Sequence, residues 1–238
     1  KCLAEIAGIS LLERQITAMR SLGLDDISIV AGYKSEKIKN SNLRKFINKR
    51  FRETNMVASL FCATPVMTDR QDLVISYGDI VYERKVLKAL LESNAEIAVC
   101  VDRNWKALWK LRMDDPLSDA ETLKIDEEGK LLELGRKPKS YDEIEGQYIG
   151  LMKFSCKAIS KIKKLYHDLE ETKLYEGRSK EQMFMTGFLQ LLIENNFDVV
   201  PVFFDGGWLE IDTSDDLLLY NNMAKTGELD LLYNGGEE

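Results

Sequence analysis

Between Ser10 and Val101 the chain alternates helical runs with short apolar strands on short connections, a pattern that leads to a doubly wound α/β sheet. Ser10-Leu-Leu-Glu13 is a capping-box pattern, and Leu12, Ile16 and Met19 recur at helical spacing up to Gly23. Ile27 to Ala31 reads as a strand ending at Gly32, and Leu73 to Tyr77 as a second, closed by Gly78-Asp79. Glu83 to Leu91 is helical in pattern, and Glu96 to Val101 is a third strand.

The pattern then changes. Thr122-Leu-Lys-Ile125 and Lys130-Leu-Leu-Glu-Leu134 flank the turn sequence Asp126-Glu-Glu-Gly129, which makes a hairpin. Gly146 to Phe154 follows as a strand, then helices over Ala158–Leu169 and Gln182–Glu194. A strand over Val199–Phe204 precedes a last helix from Ser214 toward Ala224, with Asp215 and Asp216 favouring its N-terminus. Without an internal repeat or a linker, residues 1–238 are expected to form one domain, with a small lobe inserted between about 102 and 146.

Composition excludes several functions. No apolar run approaches the ~18 residues of a membrane span. The net charge of −7 argues against a general nucleic-acid binder. The basic stretch Lys34, Lys37, Lys39, Arg44, Lys45, Lys49, Arg50 and Arg52 reads as a solvated face rather than a phosphate patch. Cys2, Cys62, Cys100 and Cys156 lie far apart and suit reduced thiols in a cytoplasmic protein. A single histidine, His167, leaves neither a His-rich metal site nor a His-based triad.

Two acids stand at positions where chemistry is expected. Asp79 follows the strand Leu73–Tyr77, and open α/β sheets bind ligands at the carboxyl ends of their strands. It could equally begin a turn after Gly78. Asp212 ends the short apolar segment from Trp208 and precedes a helix, where an Asp commonly caps. Two such carboxylates from distant parts of the chain can also share one Mg²⁺, which prefers oxygen ligands and keeps waters and substrate phosphates.

Taken together, these segments resemble the nucleoside-triphosphate transferase family, which makes activated sugars and alcohols from a nucleotide and a phosphorylated acceptor. Lys1-Cys-Leu-Ala-Glu-Ile-Ala-Gly8 and the helix after it resemble the segment just beyond the family's phosphate loop. Val74-Ile-Ser-Tyr-Gly-Asp79 resembles its metal-binding strand end, and Trp208-Leu-Glu-Ile-Asp212-Thr-Ser-Asp-Asp-Leu217 its closing motif. The resemblance implies a three-layer, Rossmann-like (GT-A-like) α/β fold with a mixed, mainly parallel sheet and a small inserted β-hairpin lobe. It implies Asp79 and Asp212 as magnesium ligands and Lys1 as the catalytic lysine on the reacting phosphates, a role that suits a compact cation. The family's Gly-x-Gly-x-Arg loop lies upstream of that lysine, so one strand and one loop are expected before Lys1.

The acceptor region departs from the sugar-specific members. They carry Val-Glu-Lys-Pro after the hairpin, whereas this chain has Leu134-Gly-Arg136-Lys137-Pro138. Arg136 replaces the acid that holds sugar hydroxyls, which argues against a hexose phosphate. In place of a Gly-Thr-Ala segment stands Glu53-Thr-Asn55-Met-Val-Ala-Ser59, similar to cytidylyltransferases that make CDP-choline or activate 2-aminoethylphosphonate. There Asn55, Ser59 and Tyr77 would bind the nucleotide; Asn55 and Ser59 also suit a helix start. Trp105 and Trp109 fall on one helical face, where core packing is the default. With Asp102 and Tyr148 they could instead take an amine, while Arg112, Arg136 and Lys137 take its phosph(on)ate.

The implied activity is Mg²⁺-dependent transfer of CMP from CTP to a small phosph(on)ate amine, 2-aminoethylphosphonate or phosphocholine, with release of pyrophosphate. Partners are then CTP and that amine, without nucleic acid or membrane; related modules are sometimes fused to phosphoenolpyruvate mutase. A sugar-1-phosphate nucleotidyltransferase, and a catalytically silent module on the same fold, are the alternatives.

Overall fold

The computed structural model describes residues 1–39 and 43–235. In chain order, a small hairpin of β1 (Glu5–Ile6) and β2 (Ile9–Ser10) leads into α1 (Leu11–Ser21), followed by β3 (Ser28–Ala31), β4 (Arg44–Ile47) and α2 (Met56–Phe61). Then come β5 (Leu73–Ser76), β6 (Ile80–Tyr82), α3 (Arg84–Glu92), β7 (Ile97–Asp102) and α4 (Trp105–Arg112). The hairpin β8 (Leu123–Ile125) and β9 (Leu131–Leu134) precedes β10 (Gln147–Phe154) and α5 (Cys156–Asp168). A second small hairpin, β11 (Leu174–Tyr175) with β12 (Arg178–Ser179), leads to α6 (Met185–Glu194), β13 (Val199–Phe204), β14 (Trp208–Glu210) and α7 (Ser214–Thr226).

Local chemistry sets most boundaries. The capping box closes in both directions: the Glu13 N–H donates to Ser10 Oγ at 3.2 Å and the Ser10 N–H to Glu13 Oε2 at 3.1 Å. Thr213 and Asp216 form a second capping box that starts α7. Two helix starts differ from the sequence reading. Ser155, with extended backbone, lets α5 begin at Cys156, two residues before Ala158. Lys180–Gln182 forms a 3₁₀ turn capped by Ser179, so α6 begins only at Met185.

The central sheet has the order β13-β7-β10-β5. Parallel pairing joins β7 to β13 and β3 to β4, whereas β10 is antiparallel to both its neighbours. The β8–β9 hairpin lies between β7 and β10 in the chain. Every residue of β7 is buried, and its period-2 alternation divides them between two cores. Ala98 and Cys100 pack with Val86, Leu87 and Leu90 of α3, Trp105 and Trp109 of α4 and Tyr220 of α7. Ile97, Val99 and Val101 pack with Ile159 and Ile162 of α5 and with Phe188 and Leu189 of α6. Helices on both faces of one sheet give three layers.

Gly150 interrupts β10. Its φ is +81°, and the pairing with β7 shifts register between Tyr148 and Met152. A Cβ at position 150 would sit 2.4 Å from the Tyr77 ring, and the Tyr77 N–H donates to the Gly150 carbonyl at 2.9 Å. The glycine therefore lets β10 bulge where β5 delivers Tyr77 toward Asp79.

Candidate active site

Asp79 lies just past β5 and Asp212 just past β14; the Ile211 N–H donates to the Asp79 carbonyl at 2.9 Å, which ties the two strand ends together. Their carboxylates converge on one ammonium. Lys1 Nζ donates to Asp79 Oδ2 at 3.1 Å and to Asp212 Oδ1 at 2.9 Å. All three side chains remain partly open to solvent. Burial alone would lower the lysine's pKa, but the two carboxylates outweigh it and hold the group above its ordinary value, protonated.

Behind Asp212 sits Arg112, whose side chain is only 2% exposed. Its Nη2 donates to Asp212 Oδ2 at 2.7 Å, its Nη1 to Glu210 Oε2 at 2.8 Å and its Nε to Asp216 Oδ1 at 3.0 Å. Burial would raise the pKa of Asp212, yet hydrogen bonds from Lys1 and Arg112 prevail and keep it below the ordinary carboxylate value. Glu210 goes the other way, pushed up to about 7 by burial and then by the charge of Asp212.

Lys1 and Arg112 thus face four carboxylates, from Asp79, Glu210, Asp212 and Asp216. Even with Glu210 holding its proton more tightly than usual, the remaining carboxylates outnumber the two cations. Asp79 and Asp212 could hold a hard divalent cation: both are oxygen donors, and both already share one cationic group. Among the described residues no group of three or more potential ligands forms a closed cage. Two carboxylates leave the remaining positions to water and phosphate oxygens, as magnesium sites usually do.

The acceptor-binding expectation, with the amine at Asp102, Trp105 and Trp109 and the phosph(on)ate at Arg112, needs correction. Asp102 is 1% exposed and fully engaged: it accepts from the Asn104 and Gly206 N–H groups at 2.8 and 3.0 Å and from Trp208 Nε1 at 2.8 Å. Trp105 and Trp109 are each 4% exposed, with Trp109 Nε1 donating to Asp119 at 3.0 Å. Neither tryptophan presents a face to an ammonium ion, because α4 turns that side into the core. Arg112 is no phosphate ligand in this arrangement, since its guanidinium is spent on three carboxylates.

The remaining candidates fall in two places. The Asn55 side chain caps α2, accepting from the Met56 N–H at 2.8 Å, and Ser59 Oγ accepts from Asn48 Nδ2 at 2.9 Å. Tyr77 meets Tyr148 edge to face at 6.0 Å, and its hydroxyl reaches Met56 Sδ at 3.0 Å. Arg136 and Lys137 line a cleft of about 550 Å³ together with Glu121, Glu176, Arg178 and Thr186. Position 136 does lack an acid, but other elements bring acids beside it: Arg136 Nη1 donates to Glu133 at 2.9 Å, and Glu176 lies 3.8 Å from its Nε.

Sequence reasoning missed Glu210 and Asp216, although a signal existed. Glu210 and Asp212 are two apart at a strand end, and Thr213-x-x-Asp216 is itself a capping pattern. Glu121 and Arg178 carried no comparable signal.

Known proteins resemble this chain over most of its length. A family model described as a MobA-like NTP transferase domain matches residues 1–181. The CTP:phosphoglutamine cytidylyltransferase of Campylobacter jejuni is 42% identical over 227 residues, covering 91% of this chain and 89% of that protein. Among solved structures, the inositol-1-phosphate CTP transferase from T. maritima superposes with a TM-score of 0.71 at 19% identity, over 96% of this chain and 87% of that one. HddC from Yersinia pseudotuberculosis gives 0.61 at 14% identity, over 94% and 89%. Lysine and paired carboxylates at the edge of a three-layer α/β fold, together with these likenesses, identify the chain as a member of the MobA-like NTP transferase family and thus as a nucleotidyltransferase.

Proposed function

We propose that the protein transfers CMP from CTP to a small phosphorylated amine of the phosphoglutamine kind, releasing pyrophosphate. The observation that carries this reading is the convergence of Lys1, Asp79 and Asp212, in a chain 42% identical to a CTP:phosphoglutamine cytidylyltransferase. The amine and phosph(on)ate groups expected between Asp102 and Arg112 for 2-aminoethylphosphonate or phosphocholine are core and carboxylate clamp. With that support gone, the relative's acceptor is the better guide.

In the reaction, an anionic phosphoryl oxygen of the acceptor attacks the α-phosphorus of CTP. A new P–O–P bond forms, the bond to the bridging oxygen breaks, and that oxygen leaves as part of pyrophosphate. The attacking oxygen is already ionised, so no general base is required. Lys1, kept protonated by its two carboxylates, supplies positive charge to the transferring phosphates. Asp79 and Asp212 would hold Mg²⁺, which when bound neutralises phosphate charge and polarises the phosphoryl centre. Arg112 fixes the direction of the Asp212 carboxylate, so that little reorganisation is left for the moment of reaction.

Pyrophosphate release tests the reading, measured in the full-length protein with CTP, UTP, ATP and GTP against phosphoglutamine, 2-aminoethylphosphonate, phosphocholine and glucose 1-phosphate. CTP with phosphoglutamine should be fastest. A purine nucleotide in first place removes the cytidylyltransferase assignment, and glucose 1-phosphate in first place removes the amine.

A further inference from the structure

The cleft of about 550 Å³ is lined by the end of β9, the β11–β12 hairpin, the start of α6 and Glu121. Its volume lies within the range of small-molecule sites. We propose that it is the subsite for an α-amino-acid end of the acceptor, with Glu121 taking the ammonium group and Arg178 the carboxylate. The inference rests on the cytidylyltransferase reading and adds to it the groups that choose the acceptor.

The cations of the cleft differ in what they already hold. Arg136 is engaged by Glu133 and Glu176, and Lys137 Nζ donates to the carbonyls of Leu117 and Ser118. The Arg178 guanidinium has neither an ion pair nor a hydrogen bond among the described residues. It lies over the Phe184 ring, with its central carbon 3.7 Å from the ring centroid. A guanidinium backed by an aromatic plane keeps its donor edge free, and a planar fork of N–H groups matches a carboxylate bidentately.

Glu121 offers the complementary charge. Its backbone is held on both sides by one side chain: the Glu121 N–H donates to Gln147 Oε1 at 2.9 Å, and its carbonyl accepts from Gln147 Nε2 at 2.6 Å. The direction of its side chain is thereby restricted. Around the carboxyl stand Asp119 and Glu176 as further acids, with Thr186 as a hydrogen-bonding partner and Lys137 as the nearby cation. Burial first, and then those two acids, push its pKa up to about 7. The half-buried acid has more acids than cations around it, and an incoming ammonium group supplies the positive charge. Gly135 keeps the wall clear, since its φ is +87° and a Cβ there would come within 2.6 Å of Thr186.

Tyr77 lies within electrostatic reach of both Glu121 and Asp79. Tyr77 precedes Asp79 by two residues, and its ring meets that of Tyr148 edge to face at 6.0 Å.

The test uses the full-length protein at saturating CTP and Mg²⁺, with phosphoglutamine and two truncated acceptors, one lacking the α-amino group and one lacking the α-carboxylate. Wild-type protein should lose at least about tenfold in kcat/KM on each truncated acceptor. Glu121→Gln should raise the phosphoglutamine KM by a similar factor and cease to discriminate against the deaminated compound. Arg178→Ala should do the same for the decarboxylated one, and the KM for CTP should stay within about twofold in both variants. Wild-type use of the truncated acceptors as readily as phosphoglutamine overturns the subsite, while leaving the cytidylyltransferase reading in place. So does unchanged discrimination in folded variants, checked by thermal melting. If none of the three compounds releases pyrophosphate from CTP but glucose 1-phosphate does, the acceptor reading itself has failed, and the subsite with it.

Discussion

Arg112 Nη2 donates to Asp212 Oδ2 at 2.7 Å, while the other oxygen of the same carboxylate accepts from Lys1 Nζ at 2.9 Å. One cation is buried and permanent, the other exposed and able to exchange for a different positive group. That asymmetry fixes the Asp212 carboxylate with one oxygen on its exposed side, and it gives Arg112 a structural role that can be measured separately from turnover.

Replacing Arg112 by Met should destabilise the fold by about 3–5 kcal/mol, because Glu210 and Asp216 are left buried without their cation. Arg112→Lys should recover part of that loss, since an ammonium satisfies fewer of the three carboxylates. Urea unfolding gives the comparison, and a wild-type midpoint for the Met variant would show the clamp to be dispensable.

Asp79→Asn and Asp212→Asn should each reduce pyrophosphate release by a factor of ~10² or more at saturating Mg²⁺. Both positions are partly exposed, so the far-ultraviolet circular dichroism should stay unchanged. Either variant working near the wild-type rate would remove that residue from the reacting centre.

Gly150→Ala should cost about 1–3 kcal/mol, since the residue combines a φ of +81° with a Cβ position 2.4 Å from the Tyr77 ring. The loss should appear as a lower thermal midpoint together with altered near-ultraviolet signal from Tyr77 and Tyr148. Unchanged melting would mean that β10 can relax its bulge without disturbing β5.

A pH dependence follows from Glu121, whose pKa rises from an ordinary 4.5 to about 7, through burial and then Asp119 and Glu176. The native state binds the proton more tightly than the unfolded chain, so the stabilisation from this group is fully present below about pH 4.5 and fades as pH rises through 7. Glu121→Gln removes the titration. Its stability relative to wild type should therefore improve between pH 5 and pH 8, by ~1–2 kcal/mol after allowance for solvent screening. Parallel curves for the two proteins across that range would place Glu121 in a solvated environment instead.

Period and capping carried much of the architecture. Val199–Phe204 forms β13 over the residues its apolar run marks, and Ser10 with Glu13 starts α1 as their spacing requires. These are local properties, since a helix start depends on side chains three residues apart and a buried strand on its own composition. Asp79 and Asp212 were also legible as candidates, because each follows a short apolar segment. Their shared contact with Lys1 was not, as it joins positions separated by 78 and 211 residues. The two tryptophans show the same limit more sharply. An i, i+4 spacing puts Trp105 and Trp109 on one face of α4, but only tertiary packing, with Trp105 against Tyr141 and Trp109 against Trp208, turns the face inward. The cleft was the least legible part, since Glu121, Arg136, Arg178 and Phe184 come from four separate segments. Electrostatic and steric complementarity among such residues depends on distance through space, and that distance exists only once the sheet has brought the segments together.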